Sequence, residues 1–242
     1  MLDETMIDVP FINEFFHAPE VSAEQMDEFW ALGWRHFGME FFRYSAMPTS
    51  HGEWMVIQPL RVSIHDFALT KSQRRVLRKN ADLHCEWVPA DLAPEVMAMF
   101  ERHKGRFKEN VPDALSVFFS ERPDSVPCEC LCLRVWKGER LIAVSFLDIG
   151  ARATSSVYGV FEPDESDRSL GIFTMLKEIE WTQANHRLFY YPGYATREPS
   201  HYDYKKQFLG LQYLNWNTGW TVLPEVRVGS AAIRRGQTSS QD

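Results

Sequence analysis

The chain is poor in cysteine and has no long apolar run. Four cysteines occur in 242 residues, at positions 85, 128, 130 and 132, and none precedes them. A disulfide framework is not expected, and a chain of this length can bury a core without one. No stretch approaches the ~18 consecutive apolar residues of a membrane-spanning helix. The first ten residues, "MLDETMIDVP", lack the basic and apolar regions of a secretory signal. Together these absences predict a cytoplasmic location, reduced thiols and no membrane partner. Positive charge is also in deficit, with a formal net charge of -7. A protein that coats long nucleic acid is usually basic over its whole surface, so an acidic body argues against that class.

The residues that are present describe a folded protein, 45% apolar and 14% aromatic. Against the acidic background one segment stands out: "KSQRRVLRKN", residues 71–80, in which five of ten residues are cationic. On a helix, Lys71, Arg74, Arg75, Arg78 and Lys79 follow the i, i+3, i+4, i+7, i+8 pattern and share one face. Arginine suits a bidentate grip on phosphate or carboxylate. A local cationic face on an acidic body fits contact with a nucleic-acid end or a small anionic group. The competing reading is a solvated helix face balanced by acidic loops elsewhere.

Patterning places the elements. Ser22 with Gln25 forms a capping-box signal opening a helix over 22–32, stopped by Gly33. Strands are predicted in "FGMEFFRYS" and "EWMVIQPLRVSI", then helices over 71–80 and 91–109. Residues 128–163 read as three strands, 168–185 as a helix, and "RLFYYPGYA" as another strand. This order predicts an α/β (α+β) fold. The expected division is an N-terminal α/β subdomain over 1–88, a C-terminal domain over 89–226 and a disordered tail over 227–242.

Two smaller motifs have open readings. In "CECLCLRVW" a strand period of two puts three thiols on one face. Same-face thiols of one strand rarely converge on a tetrahedral ion, so they read as small buried hydrophobes and no metal is expected. In "DRSLGIFTMLKEIEW", Gly171 sits in the first turn of a predicted helix. A glycine there can admit an anion to free backbone N–H groups, or can serve packing alone.

Several segments, in order, resemble the arginyl-tRNA–protein transferase family, including its bacterial aspartate/glutamate leucyltransferase branch. They are "GWRHFGMEFFR" (33–43), "PLRVSIHDFALTKSQRRVLRKNADL" (59–83), "GERLIAVSFLDIGARATSSVYGVFEPD" (138–164), "RSLGIFTMLKEIE" (168–180), and "FYYPGYA" with "YDYKKQF" (189–208). The resemblance implies a GNAT-like acyltransferase fold. It also implies an enzyme that moves an amino acid, Leu or Arg, from tRNA to the α-amine of an acidic protein N-terminus. The tRNA acceptor end and the acidic terminus, or another amine acceptor, are the partners so implied, with aminoacyl-tRNA as co-substrate and no other cofactor. The matching segments supply a candidate substrate-binding set: Arg61, Lys71, Gln73, Arg74, Arg75, Arg78, Ser156, Tyr158, Arg168, Ser169, Leu170, Gly171, Tyr204 and Lys205. Candidate bases are Asp148, Tyr194 and His201. One departure is sharp: between the first two segments the family usually carries spaced cysteines, and "YSAMPTSHGEWMVIQ" has none. Two other readings stand beside the transferase: a GNAT enzyme using acyl-CoA, with the turn at Arg168 on the pyrophosphate, and a non-catalytic binding module.

Overall fold

A computed structural model describes residues 9–49, 52–107 and 111–222. The expected tail over 227–242 lies outside the described residues. The chain forms β1 (Asn13–His17), α1 (Ala23–Ala31), β2 (Arg35–Phe37), β3 (Glu40–Tyr44), β4 (Ala46–Pro48), β5 (Trp54–Ser63), α2 (Lys71–Lys79), β6 (His84–Pro89) and α3 (Pro94–Lys104). It continues through β7 (Cys130–Lys137), β8 (Arg140–Ile149), β9 (Ala153–Phe161), α4 (Leu170–Ala184), β10 (Phe189–Thr196), β11 (Leu211–Asn215) and β12 (Gly219–Val222). Short 3-10 turns span Leu115–Phe118, Pro163–Arg168 and His201–Lys206.

The strands make two sheets, a small one in the order β1-β3-β2 and a large one in the order β12-β11-β5-β10-β9-β8-β7-β6, with β4 paired to β5. The mixed α/β class expected from the sequence is the one adopted. β7, β8 and β9 form an antiparallel meander, α4 crosses over, and β10 returns parallel to β9. The expected boundary near residue 88 falls within β6, and β5 lies between β10 and β11. The large sheet therefore runs through residues on both sides of that boundary.

Local chemistry explains the helices. Ser22 and Gln25 form the expected capping box on α1, and Gly33 takes a positive φ just past its end. Thr70 and Gln73 form a second capping box on α2. The helix predicted over 91–109 is shorter and starts at Pro94, a residue suited to the first turn. Alternation along β8 feeds both faces of the sheet. Val144 and Phe146 meet Val96, Met99 and Phe100 of α3, while Leu147 and Ile149 meet Met175, Leu176 and Ile179 of α4. The small sheet and α1 share an aromatic cluster of Phe16, Phe29, Trp30, Trp34 and Phe41.

Candidate active site

β9 and β10 are parallel but pair only over Ala153–Ser155 and Phe189–Tyr191. Beyond these residues they separate. Both strands are irregular where they part. Val157 and Tyr158 of β9 together face Phe146 of β8, and the β10–β5 register shifts between Tyr190 and Gly193. Bulges of this kind re-aim side chains and end pairing beside functional sites. The gap is occupied by polar side chains from five elements.

The floor of the gap comes from α4. Gly171, Thr174, Glu178 and Thr182 recur at spacings of three and four, so they line one face of the helix. That face meets β9. The Thr154 and Thr182 hydroxyls lie 2.7 Å apart, and Ser156 Oγ donates to Glu178 Oε1 at 3.3 Å. Tyr190 of β10 donates its hydroxyl to Glu178 Oε2 at 2.5 Å. Glu178 is fully buried, and burial raises its carboxyl to about 7 against the hydrogen bonds that favour the anion.

The cations come from outside the meander. Arg35 of β2 reaches through the gap and donates to Ser155 Oγ and to the Ser156 carbonyl. Lys205, on the turn His201–Lys206, is half-buried and donates to the Tyr194 carbonyl at 3.4 Å. Burial, with Arg35 as a like-charged neighbour, lowers the Lys205 ammonium to about 8. Gly193 makes room for both. A Cβ there would lie 3.3 Å from Lys205 Nζ and 3.8 Å from Arg35 Nη2, and its φ of +97° disfavours any side chain. A buried carboxyl and a half-buried amine, both displaced toward neutrality, thus flank one gap. That pattern marks sites of proton transfer.

The structure distributes the residues singled out from the sequence. Ser156 and Lys205 are in the gap. Tyr204 borders it near Glu178, whereas the Tyr158 ring stacks on Phe118 against α3; burial raises each phenol to about 12. Tyr194 points away, donating its hydroxyl to the Gly33 carbonyl at 2.5 Å. Asp148 is buried on the opposite face of the sheet, 2.8 Å from His36 Nε2. The side chain of His201 lies outside the described residues. Arg61 is also remote, bonded to Gln212 and sandwiched between the Phe189 and Trp220 rings at 4.1 and 4.3 Å.

Helix α2 carries the cationic face. Lys71, Arg74, Arg75 and Arg78 are exposed, and none has a carboxylate partner among the described residues. Lys71, Arg74, Leu77 and Arg78 line a shallow groove of about 340 Å³. Lys79 departs from the expected set, since it pairs with Asp167 at 2.9 Å. Gln73 is buried and serves the helix, accepting from Thr70 N and donating to the Gln207 carbonyl. That last bond ties the start of α2 to the turn that bears Lys205.

At the start of α4, Ser169 has a positive φ, Leu170 is fully buried, and Gly171 approaches the Phe161 ring. Arg168 is engaged by Asp82 at 2.9 Å and Glu165 at 2.9 Å. Asp164, Glu165 and Asp167 of the same turn pair with Arg140, Lys137 and Lys79, so acids and cations balance at this helix start.

Sequence reading did not single out Arg35, His36, Glu178 or Tyr190. For Glu178 a signal existed: a polar stripe inside an otherwise apolar helix. Arg35 and His36 carry no local signal, because only the tertiary fold brings β2 to the gap.

The fold and this gap define a mixed α/β protein with an acid–base pair between diverging parallel strands. Residues 95–215, half of the chain, match the family described as "Arginine-tRNA-protein transferase, C terminus". The chain belongs to this family. It is 33% identical to the aspartate/glutamate leucyltransferase of Acinetobacter baylyi over 158 residues, 64% of this chain and 58% of that one. It is 30% identical to the aspartate/glutamate leucyltransferase of Marinobacter nauticus over 189 residues, 76% of each. The chain thus spans less than two thirds of the Acinetobacter relative. Among solved structures it is similar to FemX, with 8% identity and a TM-score of 0.47 over 78% of this chain and 65% of that one. It is also similar to L-PGS from Bacillus licheniformis, with 13% identity and a TM-score of 0.45 over 77% of this chain and 54% of that one. Among the described residues no helix is long and apolar enough to cross a membrane.

Proposed function

We propose that this chain is an aminoacyl-tRNA-dependent aminoacyltransferase that moves Leu or Arg from tRNA to the α-amine of a protein with an acidic N-terminus, in the cytoplasm. The observation that carries the reading is the juxtaposition of the Glu178–Lys205–Arg35 gap with the unpaired cationic face of α2. In this reading the tRNA acceptor end lies along Lys71, Arg74, Arg75 and Arg78 and delivers its aminoacyl ester between β9 and β10.

The ester is already activated, so no covalent enzyme intermediate is required. The acceptor amine attacks the ester carbonyl: a C–N bond forms and the C–O bond to the ribose breaks. Glu178 takes the amine proton through the Ser156 hydroxyl, which joins the buried carboxylate to the open gap. The same proton returns to the departing ribose oxygen. Lys205, as ammonium, and Arg35 stabilise the oxyanion that develops. The rest of the acceleration comes from holding two substrates in one gap. The acidic terminus of the acceptor requires a cation, and Arg35 and Lys205 are the candidates within reach of the amine.

An acyl-CoA reading needs a pyrophosphate at the start of α4. The cations at that turn, Arg168, Lys79, Lys137 and Arg140, are already paired with Asp82, Asp167, Glu165 and Asp164, so a pyrophosphate there would have to displace carboxylates. The decisive experiment offers the purified chain a panel of charged tRNAs and peptides with Asp or Glu N-termini, and follows radiolabel onto peptide. Transfer of Leu or Arg is expected. Peptide or tRNA binding without turnover across the full panel overturns the enzyme reading in favour of a binding module.

A further inference from the structure

Three buried side chains on the face of the sheet opposite Glu178 converge on one point. His36 Nε2, Cys128 Sγ and an Asp148 carboxylate oxygen all lie within 4.8 Å of one another. They come from β2, from the loop before β7, and from β8. Each is at most 6% exposed. Cys130 lies directly across the β7–β8 ladder from Asp148, so its side chain emerges on the same face, next to the carboxylate.

The imidazole geometry calls for a cation at this point. His36 Nδ1 lies 2.8 Å from the Gly38 carbonyl, which can only accept, so Nδ1 carries a proton. In a neutral ring Nε2 then holds a lone pair, and it points at Asp148 Oδ2 from 2.8 Å. Two electron-rich atoms this close require a positive centre between them. A shared proton would satisfy the pair, with the Cys128 and Cys130 thiols left only to donate weak hydrogen bonds to the same carboxylate. A metal ion uses all of them. A ring nitrogen facing the site, with the other nitrogen donating to a backbone carbonyl, is also the usual orientation of a ligating histidine.

We propose that His36, Cys128 and Asp148, with Cys130 beside the same carboxylate as the fourth ligand, form a closed site for a zinc-class divalent cation. Nitrogen, thiolate and carboxylate donors suit Zn²⁺, and four protein ligands with no open position make a structural site. Tetrahedral bond lengths place ligand atoms about 3.3–3.8 Å apart, so His36, Cys128 and Asp148 need only small side-chain rotations, and Cys130 must swing further toward the ion. Both thiols bind as thiolates, each releasing its proton to solvent. The Arg35 guanidinium, close enough to interact with Asp148, offsets the resulting negative charge. The ion joins β2 of the small sheet to β8 of the large one. Arg35 adjoins His36 on β2 and extends into the gap, so the ion fixes the residue that crosses from one face to the other.

The test needs no activity. Full-length protein, purified under reducing conditions and dialysed without chelator, is expected to carry a single zinc per chain by elemental analysis. After chelator treatment, stoichiometric Co²⁺ should give a thiolate-to-cobalt charge-transfer band with tetrahedral ligand-field absorption. Cys128→Ala should lose both signals, while Cys132→Ala should keep them. Wild-type protein that purifies free of metal, gives no charge-transfer band with Co²⁺ and shows no rise in Tm with Zn²⁺ overturns the site. Metal retained by the Cys128→Ala,Cys130→Ala double variant overturns it equally. The wild-type Co²⁺ spectrum keeps the test decisive if a variant fails to fold.

Discussion

At the scale of single residues, Glu178 and Lys205 make the sharpest predictions. Glu178→Gln keeps the Tyr190 hydrogen bond but cannot take a proton, and should lower kcat for aminoacyl transfer by about 10²–10⁴. In the proposed mechanism Glu178 must be ionised, so the rate rises with pH through about 7. Lys205 must stay protonated, so the rate falls above about 8. The expected profile is a narrow bell between these values. Glu178→Gln should lose its acidic limb and Lys205→Met its alkaline limb. The acceptor's own α-amine, at about 7.7–8.0, titrates in every variant and cancels in their ratio.

The same carboxyl predicts a stability signature. Its folded-state pKa of about 7 lies above the ordinary 4.5, so its stabilising contribution is complete below 4.5 and lost as pH rises through 7. The loss is of the order of 3 kcal/mol. Glu178→Gln stays neutral, so its Tm should exceed that of the wild type at pH 9 and match it at pH 4, as read by thermal melts. Gly193→Ala should cost about 1–3 kcal/mol in backbone strain. It should also impair transfer, because the new methyl meets Lys205 Nζ.

At the scale of elements, α2 is separable from the core. Val76 and Leu77 pack inward, whereas Arg74 and Arg75 are exposed. Replacing both arginines with Ala should leave the melting curve nearly unchanged. It should weaken tRNA binding and reduce the slope of log K against log salt by about 1.4–1.8, from 0.7–0.9 per cation removed. An unchanged slope would remove α2 from the RNA path.

This is also the scale at which the sequence was most readable. Helix starts carry their own chemistry, as at Ser22 and Gln25, and the cationic stripe of α2 follows from spacing alone. Period two correctly put the Cys130 and Cys132 side chains on one face, that of α3. What spacing could not supply was the partner across a sheet. Asp148 was noticed as a strand-end acid, but its contact is His36, 112 residues away. Tyr194 looked available, yet its hydroxyl is tied to Gly33, a residue 161 positions distant. Lys205 was legible only through the family motif, because nothing local announces that β10 bends away to leave it room. β11 and β12 were not anticipated, being short and rich in polar and aromatic residues.

At the scale of the whole molecule, acidity and RNA contact coexist because the charges are partitioned. Arg102, Arg134, Arg140 and Arg168 are all paired with carboxylates, while Lys71, Arg74, Arg75 and Arg78 of α2 have no carboxylate partner among the described residues. The small sheet contributes through one strand only, β2, held by the packing of Phe41 against Phe16, Phe29 and His36. Phe41→Ala should destabilise the chain by about 3–5 kcal/mol. At temperatures where the large sheet persists, it should abolish transfer by releasing Arg35. Circular dichroism alongside the peptide assay separates the two effects.

The threading of β5 between β10 and β11 has a practical corollary. Residues 95–215 are the portion matched to the family, but a fragment cut to those limits would present two raw sheet margins where β5 had been. Such margins invite intermolecular pairing. Expressed alone, that fragment should precipitate or swap strands, and adding back a peptide of residues 54–63 should lessen this without abolishing it, because β6 and β12 are missing too. The family-matched half is therefore no portable cassette: like a zip fastener with one row of teeth, it closes only when the upstream chain is drawn into it.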